Sequence, residues 1–222
     1  MRDSTMITRR GLLAAAAAAA LGPGAASAGL SCGGFSAPSP QGVQRCTVGI
    51  SSVNVLGAGQ ACPHWCWAAC IQSLFATAGF VIADQRRIVA ALFGRADLCL
   101  AANGAQIVRT ISRDWQADDG RWFRAQAQPL LDLSMGLWNP RVVQATAWDL
   151  ANGFPLINGA LGHATLMTGM TYLADHAGTL RGIEDISVAD PLVPLGQPAR
   201  LRSLTGDEAR GTFFVGQVRV YG

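Results

Sequence analysis

The spacing of apolar residues changes once along this chain, and that change limits the folds open to it. From Trp67, apolar residues at 67, 70, 71, 74, 75 and 78 mark one face of a helix that Gly79 ends. Asp84 is placed to cap a second helix, running to Phe93 and stopped by Gly94. Asn103 can cap a third, with Ile107, Ile111 and Trp115 four residues apart. Asn139-Pro140 opens a fourth, with proline at its first position, Val142, Val143, Thr146, Ala147 and Leu150 inward and Gly153 as its stop. Beyond it, residues 154–158, 163–172, 183–189, 212–215 and 217–221 are short β-rich runs between glycine and aspartate turns. Helices followed by strands predict an α+β domain, a helical half and then an antiparallel sheet half.

A chain of 222 residues suffices for one domain with a sizeable core, and 50% hydrophobic against 14% charged residues is a globular composition. Every basic residue is arginine, and no arginine-rich patch with interleaved aromatics stands out, which argues against nucleic acid as a partner. No internal repeat is visible. Residues 1–28 have the form of an export signal. Thr8-Arg9-Arg10-Gly11-Leu12-Leu13 sets paired arginines before an alanine-rich run, and Ala26-Ser27-Ala28 is a small-residue cleavage site. The run is too short and too weakly apolar to span a bilayer, so no membrane span is expected. Its twin arginines fit the twin-arginine route, with a general secretory signal as the alternative. A lipoprotein signal at Cys32 fits less well, because Gly29-Leu30-Ser31-Cys32 lacks the usual leucine. Removing residues 1–28 lowers the formal charge from +3 to about +1. Residues 29–54 are expected to form an irregular arm with a short strand at 47–55. Nothing in that arm is long enough for an inhibitory pro-domain. Residues 55–222 are expected to form the domain itself.

Export governs how the six cysteines are read, because disulfides persist outside the reducing cytosol. Three of them crowd the stretch Gln60-Ala-Cys62-Pro-His64-Trp-Cys66-Trp-Ala-Ala-Cys70. A zinc site would want a second ligand pair downstream, and none follows; Cys70, one helical turn after Cys66, fits a core position. No metal or cofactor is therefore expected. Cys66 stands where a proline-containing loop enters a helix. There, unpaired backbone N–H groups and the positive end of the helix dipole favour a thiolate. The same N–H groups can hold an oxyanion, and the Gln60 amide is a candidate second donor. If Cys66 stays unpaired, five cysteines remain, so one more must be free or paired between chains.

A cysteine nucleophile needs a base and a residue to orient that base. Of three histidines, His64 is awkwardly close to Cys66 at the helix start, and His176 lies in a polar turn. His163, in Gly162-His163-Ala164, enters the apolar run 164–169 from a glycine turn, where its ring can project into a cleft. Asp190 ends the next run, ahead of Pro191. A hairpin joining the two runs through residues 173–182 would set Asp190 beside His163, to orient the ring and stabilise its cation. Read singly, His163 is also compatible with a structural role, and Asp190 with a turn before proline.

Gln60, then Cys66-Trp67-Ala68, then Gly162-His163-Ala164 before an apolar strand, then Asp190-Pro191 resemble papain-like cysteine peptidases in residue type and order. Trp65-Cys66-Trp67-Ala68-Ala69 with Asp190-Pro191 looks most like the bacterial branch near bacteriocin-processing and secreted effector peptidases. The resemblance spans about residues 55–221. It implies a papain-like fold with the nucleophile on a central helix, Cys66 as nucleophile, His163 as base and then acid, Asp190 as orienter, and Gln60 as oxyanion donor. It also implies a peptide or protein substrate. By similarity Cys62–Cys99 is the preferred disulfide, Cys70–Cys99 the second choice, and Cys32–Cys46 a separate pairing. The chain departs from the plant papain pattern. Pro63-His64-Trp65 precedes the nucleophile, aspartate stands where papain has asparagine, and the tryptophan after that asparagine is missing.

Trp65 and Trp67 fit packing anchors better than groove walls, and Trp115, Trp122, Trp138 and Trp148 are expected in the core or an interface. Residues 159–162 are either a turn over the cleft or a plain hairpin link, and Arg121 and Arg124 a solvated face. Three functions fit these residues. The first is an exported thiol peptidase, the second an amidase, deamidase or acyltransferase on the same triad, and the third an inactive effector-type binding module.

Overall fold

The computed structural model describes residues 28–33, 42–51, 56–175 and 177–222. Residues 1–27 of the expected export signal, Arg9 and Arg10 among them, and His176 lie outside the described residues, as do residues 52–55 of the short strand expected at 47–55. In chain order the elements are β1 (Ala28–Cys32), β2 (Val43–Ile50), α1 (Cys66–Thr77), α2 (Gln85–Phe93), α3 (Gly104–Ile111), β3 (Arg113–Gln116), β4 (Trp122–Asp132), β5 (Leu137–Trp138), α4 (Val142–Ala151), β6 (Leu156–Ala160), β7 (His163–Asp175), β8 (Leu180–Asp190), β9 (Arg200–Ser203), α5 (Gly206–Arg210) and β10 (Thr212–Tyr221). The fold is α+β, with one large sheet whose strand pairs are all antiparallel. Its order is β1-β2-β7-β6-β10-β4-β3, with β5 on β4, β8 on β7, and β9 on β8.

Helices and strands are not segregated along the chain as their order in the sequence predicts. The arm is strand where it is described: β2 pairs with β7 over seven positions from Val43↔Asp175 to Gly49↔Gly169, and β1 pairs with β2. Strands β3 to β5 fall between α3 and α4. On β4, Phe123 and Ala125 are buried while Arg124, Gln126 and Gln128 are exposed, a period of two. Its inward residues are partly alanine and its outward ones glutamine and arginine, so it carries little of the β-branched signature by which strands are recognised. Strand β9, Arg-Leu-Arg-Ser, is hidden for the same reason.

Helices α2 and α3 follow their caps. The Asp84 carboxylate accepts from the Arg86 N–H, and Gly94 closes α2 in the left-handed conformation. Asn103 and Gln106 form a reciprocal capping box on α3. Trp115 is not part of α3, which ends at Ile111. It is buried on β3, its indole N–H donating to the Ile111 carbonyl at 3.2 Å. Pro140 lies in the turn ahead of α4, and the two expected C-terminal strands are one strand, β10, with a register shift between Val215 and Gly216.

Helix α1 is buried on nearly every side, with Trp67, Ile71 and Phe75 in the core. Its buried polar groups are satisfied locally. The Ser73 hydroxyl donates to the Ala69 carbonyl, and the Gln72 amide donates to the Ile82 and Ala83 carbonyls. Trp65 and Trp67 are buried packing anchors whose indole N–H groups donate to the Leu98 and Leu100 carbonyls. Of the four tryptophans expected in the core or an interface, Trp115 is in the core, and Trp122, Trp138 and Trp148 lie outside it, exposed at 65%, 64% and 57%.

Candidate active site

Three segments converge at the first turn of α1. The first is the loop 57–65. Its Gly59 and Gln60 N–H groups donate to the Gln197 and Pro191 carbonyls, and Gly57 accepts from the Ala199 N–H. A Cβ on Gly59 would sit 2.6 Å from the Pro194 carbonyl oxygen and 2.9 Å from that of Val193, so glycine permits this close approach. The buried Gln85 amide holds the same loop, donating to the Gly59 carbonyl and accepting from the Ala61 N–H. The second segment is the β6–β7 hairpin. Leu161 and Gly162 both take positive φ (50° and 78°), the tight two-residue turn that matches strand twist, and His163 opens β7 directly after it. The third is the end of β8. Leu166 pairs with Ala189 across β7 and β8, which sets Asp190 diagonally opposite His163 on one face of the sheet.

Cys66 begins α1. The helix has no side-chain cap at Trp65 and no acid in its first turn, so its leading N–H groups keep their full partial charge. The thiol is 7% exposed. Its sulfur accepts from the N–H of Ala164, the residue after His163, at 3.4 Å. Burial pushes the Cys66 thiol up; the bonds from His163, Ala164 and Trp67, with the charge on His163, outweigh it and lower the thiol below its ordinary value. His163 Nε2 lies 2.8 Å from Asp190 Oδ1, which leaves Nδ1 outside that bond. The bond to Asp190, then that to Cys66, pushes the imidazole from 6.5 up to about 9 against the opposing effect of burial. Asp190 is 2% exposed. Burial alone would raise its carboxyl, but bonds from His163, the Leu192 N–H and Arg202 hold it well below the usual carboxylate range. Each of these directions favours a thiolate–imidazolium pair beside a carboxylate.

The structure thus brings Cys66, His163 and Asp190 together. Gln60 lies on the loop bonded to Pro191. Its amide N–H donates to the Pro63 carbonyl at 2.9 Å, leaving a second N–H on the same nitrogen, while Oε1 is buried without a partner. His64 is exposed on the turn before α1. Cys62 is bonded to Cys99 and Cys32 to Cys46; Cys66 and Cys70 are free, and Cys70 is buried with its thiol pushed well up by burial. Among the described residues, no helix is long and apolar enough to cross a membrane, and no three His, Cys, Asp or Glu side chains are grouped as metal ligands.

Sequence reasoning missed two side chains, Arg202 on β9 and Glu208 on α5. Arg202 Nε donates to Asp190 Oδ2 at 2.7 Å, and its two terminal nitrogens donate to Glu208 at 2.8 and 2.6 Å. Half of this was readable: Thr205-x-x-Glu208 is a capping box, and both of its reciprocal bonds form. Nothing in the sequence ties Arg202 to Asp190, twelve residues upstream.

No protein-family model and no curated protein is similar to the chain. Among solved structures, the crystal structure of UfSP from C. elegans aligns with 74% of this chain at 13% identity and a TM-score of 0.41. The chain spans 30% of the length of that structure. A likeness this distant transfers no residue role.

Proposed function

We propose that the protein is an exported, papain-like thiol peptidase. The observation that carries this reading is the 2.8 Å contact of His163 Nε2 with buried Asp190, while the free sulfur of Cys66 accepts the N–H of the next residue, Ala164, at 3.4 Å. In the reaction, the Cys66 thiolate adds to a peptide carbonyl. The oxyanion is held by the uncapped N–H groups of the first turn of α1, with the Gln60 amide as second donor. Imidazolium His163 gives its proton to the departing amine, leaving a thioester on Cys66. Neutral His163 then takes a proton from water, whose oxygen attacks the thioester and releases the acid. Asp190 keeps the ring in the tautomer and orientation that present Nδ1 to the sulfur. Two disulfides support export, since such bonds persist outside the reducing cytosol.

The test is an electrophilic thiol probe followed by a peptide library. Wild type is labelled at Cys66 and cleaves the library; Cys66→Ala does neither, with its fold unchanged by circular dichroism. Labelling without cleavage, with deamidated or acyl-transferred products instead, replaces peptidase by an amidase or transferase. An unlabelled, folded wild type ends the reading.

A further inference from the structure

Asp190 is oriented by more than its histidine. Its Oδ1 takes His163 and the Leu192 N–H at 2.9 Å, and its Oδ2 takes Arg202 Nε at 2.7 Å. A carboxylate bound through both oxygens cannot rotate about its Cβ–Cγ bond without breaking one set. Arg202 is itself fixed, because its terminal nitrogens grip both oxygens of Glu208. Glu208 is fixed in turn by the Thr205 N–H at 2.8 Å, at the start of α5. Arg202 and Glu208 are only 20% and 16% exposed, whereas Arg200, which faces Asp190 across the same strand pair, is 65% exposed and 4.0 Å away. A largely buried ion-pair chain adds little net stability, because desolvation offsets the attraction. Its placement behind Asp190 therefore calls for another account.

We propose that Arg202, anchored by Glu208, is a positioning residue that locks the Asp190 carboxylate in the rotamer presenting Oδ1 to His163. The inference rests on the peptidase reading for its link to turnover, but the geometry can be tested without turnover. The groups facing the triad are Cys66 and Cys70 on α1, His163 on β7, Asp190 on β8, Arg200 and Arg202 on β9, and Glu208 on α5. Two ways for Arg202 to act predict opposite signs. A guanidinium acting only as a nearby charge depresses the imidazole, so its removal raises the titration of His163. A guanidinium acting as a lock keeps the Asp190 bond, which is the largest contribution raising His163, so its removal lowers that titration.

The experiment is an NMR titration of the His163 ring in the full chain, assigned with His163→Ala, alongside steady-state kinetics on a peptide substrate. In Arg202→Gln the His163 midpoint falls from about 9 by on the order of one pH unit. The same variant loses on the order of tenfold in kcat, with KM little changed. Arg202→Lys keeps the charge without the fork and behaves like Arg202→Gln. Glu208→Gln preserves the capping box and shifts the midpoint the same way by less; it carries the test if Arg202→Gln does not fold. A midpoint unmoved or raised in the folded variants overturns the proposal. That result is separable from failure of the peptidase reading, which is a wild type whose Cys66 is inert to thiol probes.

Discussion

His163→Ala isolates what the imidazole does for the sulfur. In the wild type, burial raises the Cys66 thiol, and the opposing influences are the His163 bond and charge together with two backbone N–H groups. Removing the ring leaves burial against those N–H groups alone, which raises the thiol toward its ordinary 9.0. At pH 7 a thiol at 9.0 is about 1% ionised. The wild-type imidazole titrates at about 9, so at pH 7 it is almost wholly protonated and can hold its partner as thiolate. The variant therefore loses up to about 100-fold in thiolate. A less acidic thiol is intrinsically more nucleophilic, which returns part of that factor, leaving a net fall of on the order of tenfold. Iodoacetamide alkylation of Cys66, followed by mass spectrometry from pH 5 to 10.5, measures it. The wild type should rise at a midpoint below 9.0, stay flat, and change again near 9 as His163 deprotonates. The variant should show a single rise, at a higher pH than the wild type's first. A His163→Ala protein alkylated at pH 7 as fast as wild type would refute the ion pair.

Three further perturbations probe the surroundings. Gln60→Ala should lower kcat by on the order of 100-fold while leaving alkylation of Cys66 unchanged, because an oxyanion donor acts only on the transition state; equal loss in both assays would reassign Gln60 to packing. Gly59→Ala sets a methyl group 2.6 Å from the Pro194 carbonyl oxygen and should cost about 1–3 kcal/mol in urea unfolding, with a loss of kcat as the Gln60 loop and the segment after Asp190 are pushed apart. Cys62→Ser with Cys99→Ser opens a link between residues 37 apart, for which the loop-entropy relation gives about 3–4 kcal/mol. That variant should melt lower and free Trp65 and Trp67, seen as a change in tryptophan fluorescence; an unchanged melting temperature would mean that the loop holds without its bond.

What the sequence disclosed follows the range of the interactions involved. Helices α2 and α3 were legible because capping residues act within a few positions of a helix end, and Asp84, Gly94 and Asn103 take the roles their types suggest. The two positive-φ residues at Leu161-Gly162 make a hairpin that glycine spacing hinted at but did not specify. The placement of β4 was not legible. Its neighbours are β3, β5 and β10, and the pairing with β10 joins Phe214 to Asp132 across 82 residues. Such pairing depends on which faces are left to cover once the helices pack, and residue type alone does not encode that. The exposed Trp122, Trp138 and Trp148 show the same limit: an aromatic residue's preference for burial is a tendency, and topology decides which ones find a partner.

The candidate site divides along the same line, and the division has a chemical reason. Cys66, His163 and Asp190 were legible because each occupies a position with its own local signature: a helix start, a strand entered from a glycine turn, and a strand end before proline. Arg202 has none. It alternates with Arg200 on a four-residue strand, and as sequence the two look equivalent, a pair of solvated arginines. They are separated only by the pairing of β9 with β8. That register sets Arg200 across from Asp190 but exposed, and Arg202 across from Val188, with its side chain reaching back to the carboxylate. A register slipped by one residue would turn both arginines to the opposite face, away from Asp190. The extension of the site from Asp190 to Arg202 and Glu208 is therefore a consequence of one strand pairing. It follows that a substitution shifting β9 against β8, such as proline at Leu201, should disturb the His163 titration although it removes no charged group from the site.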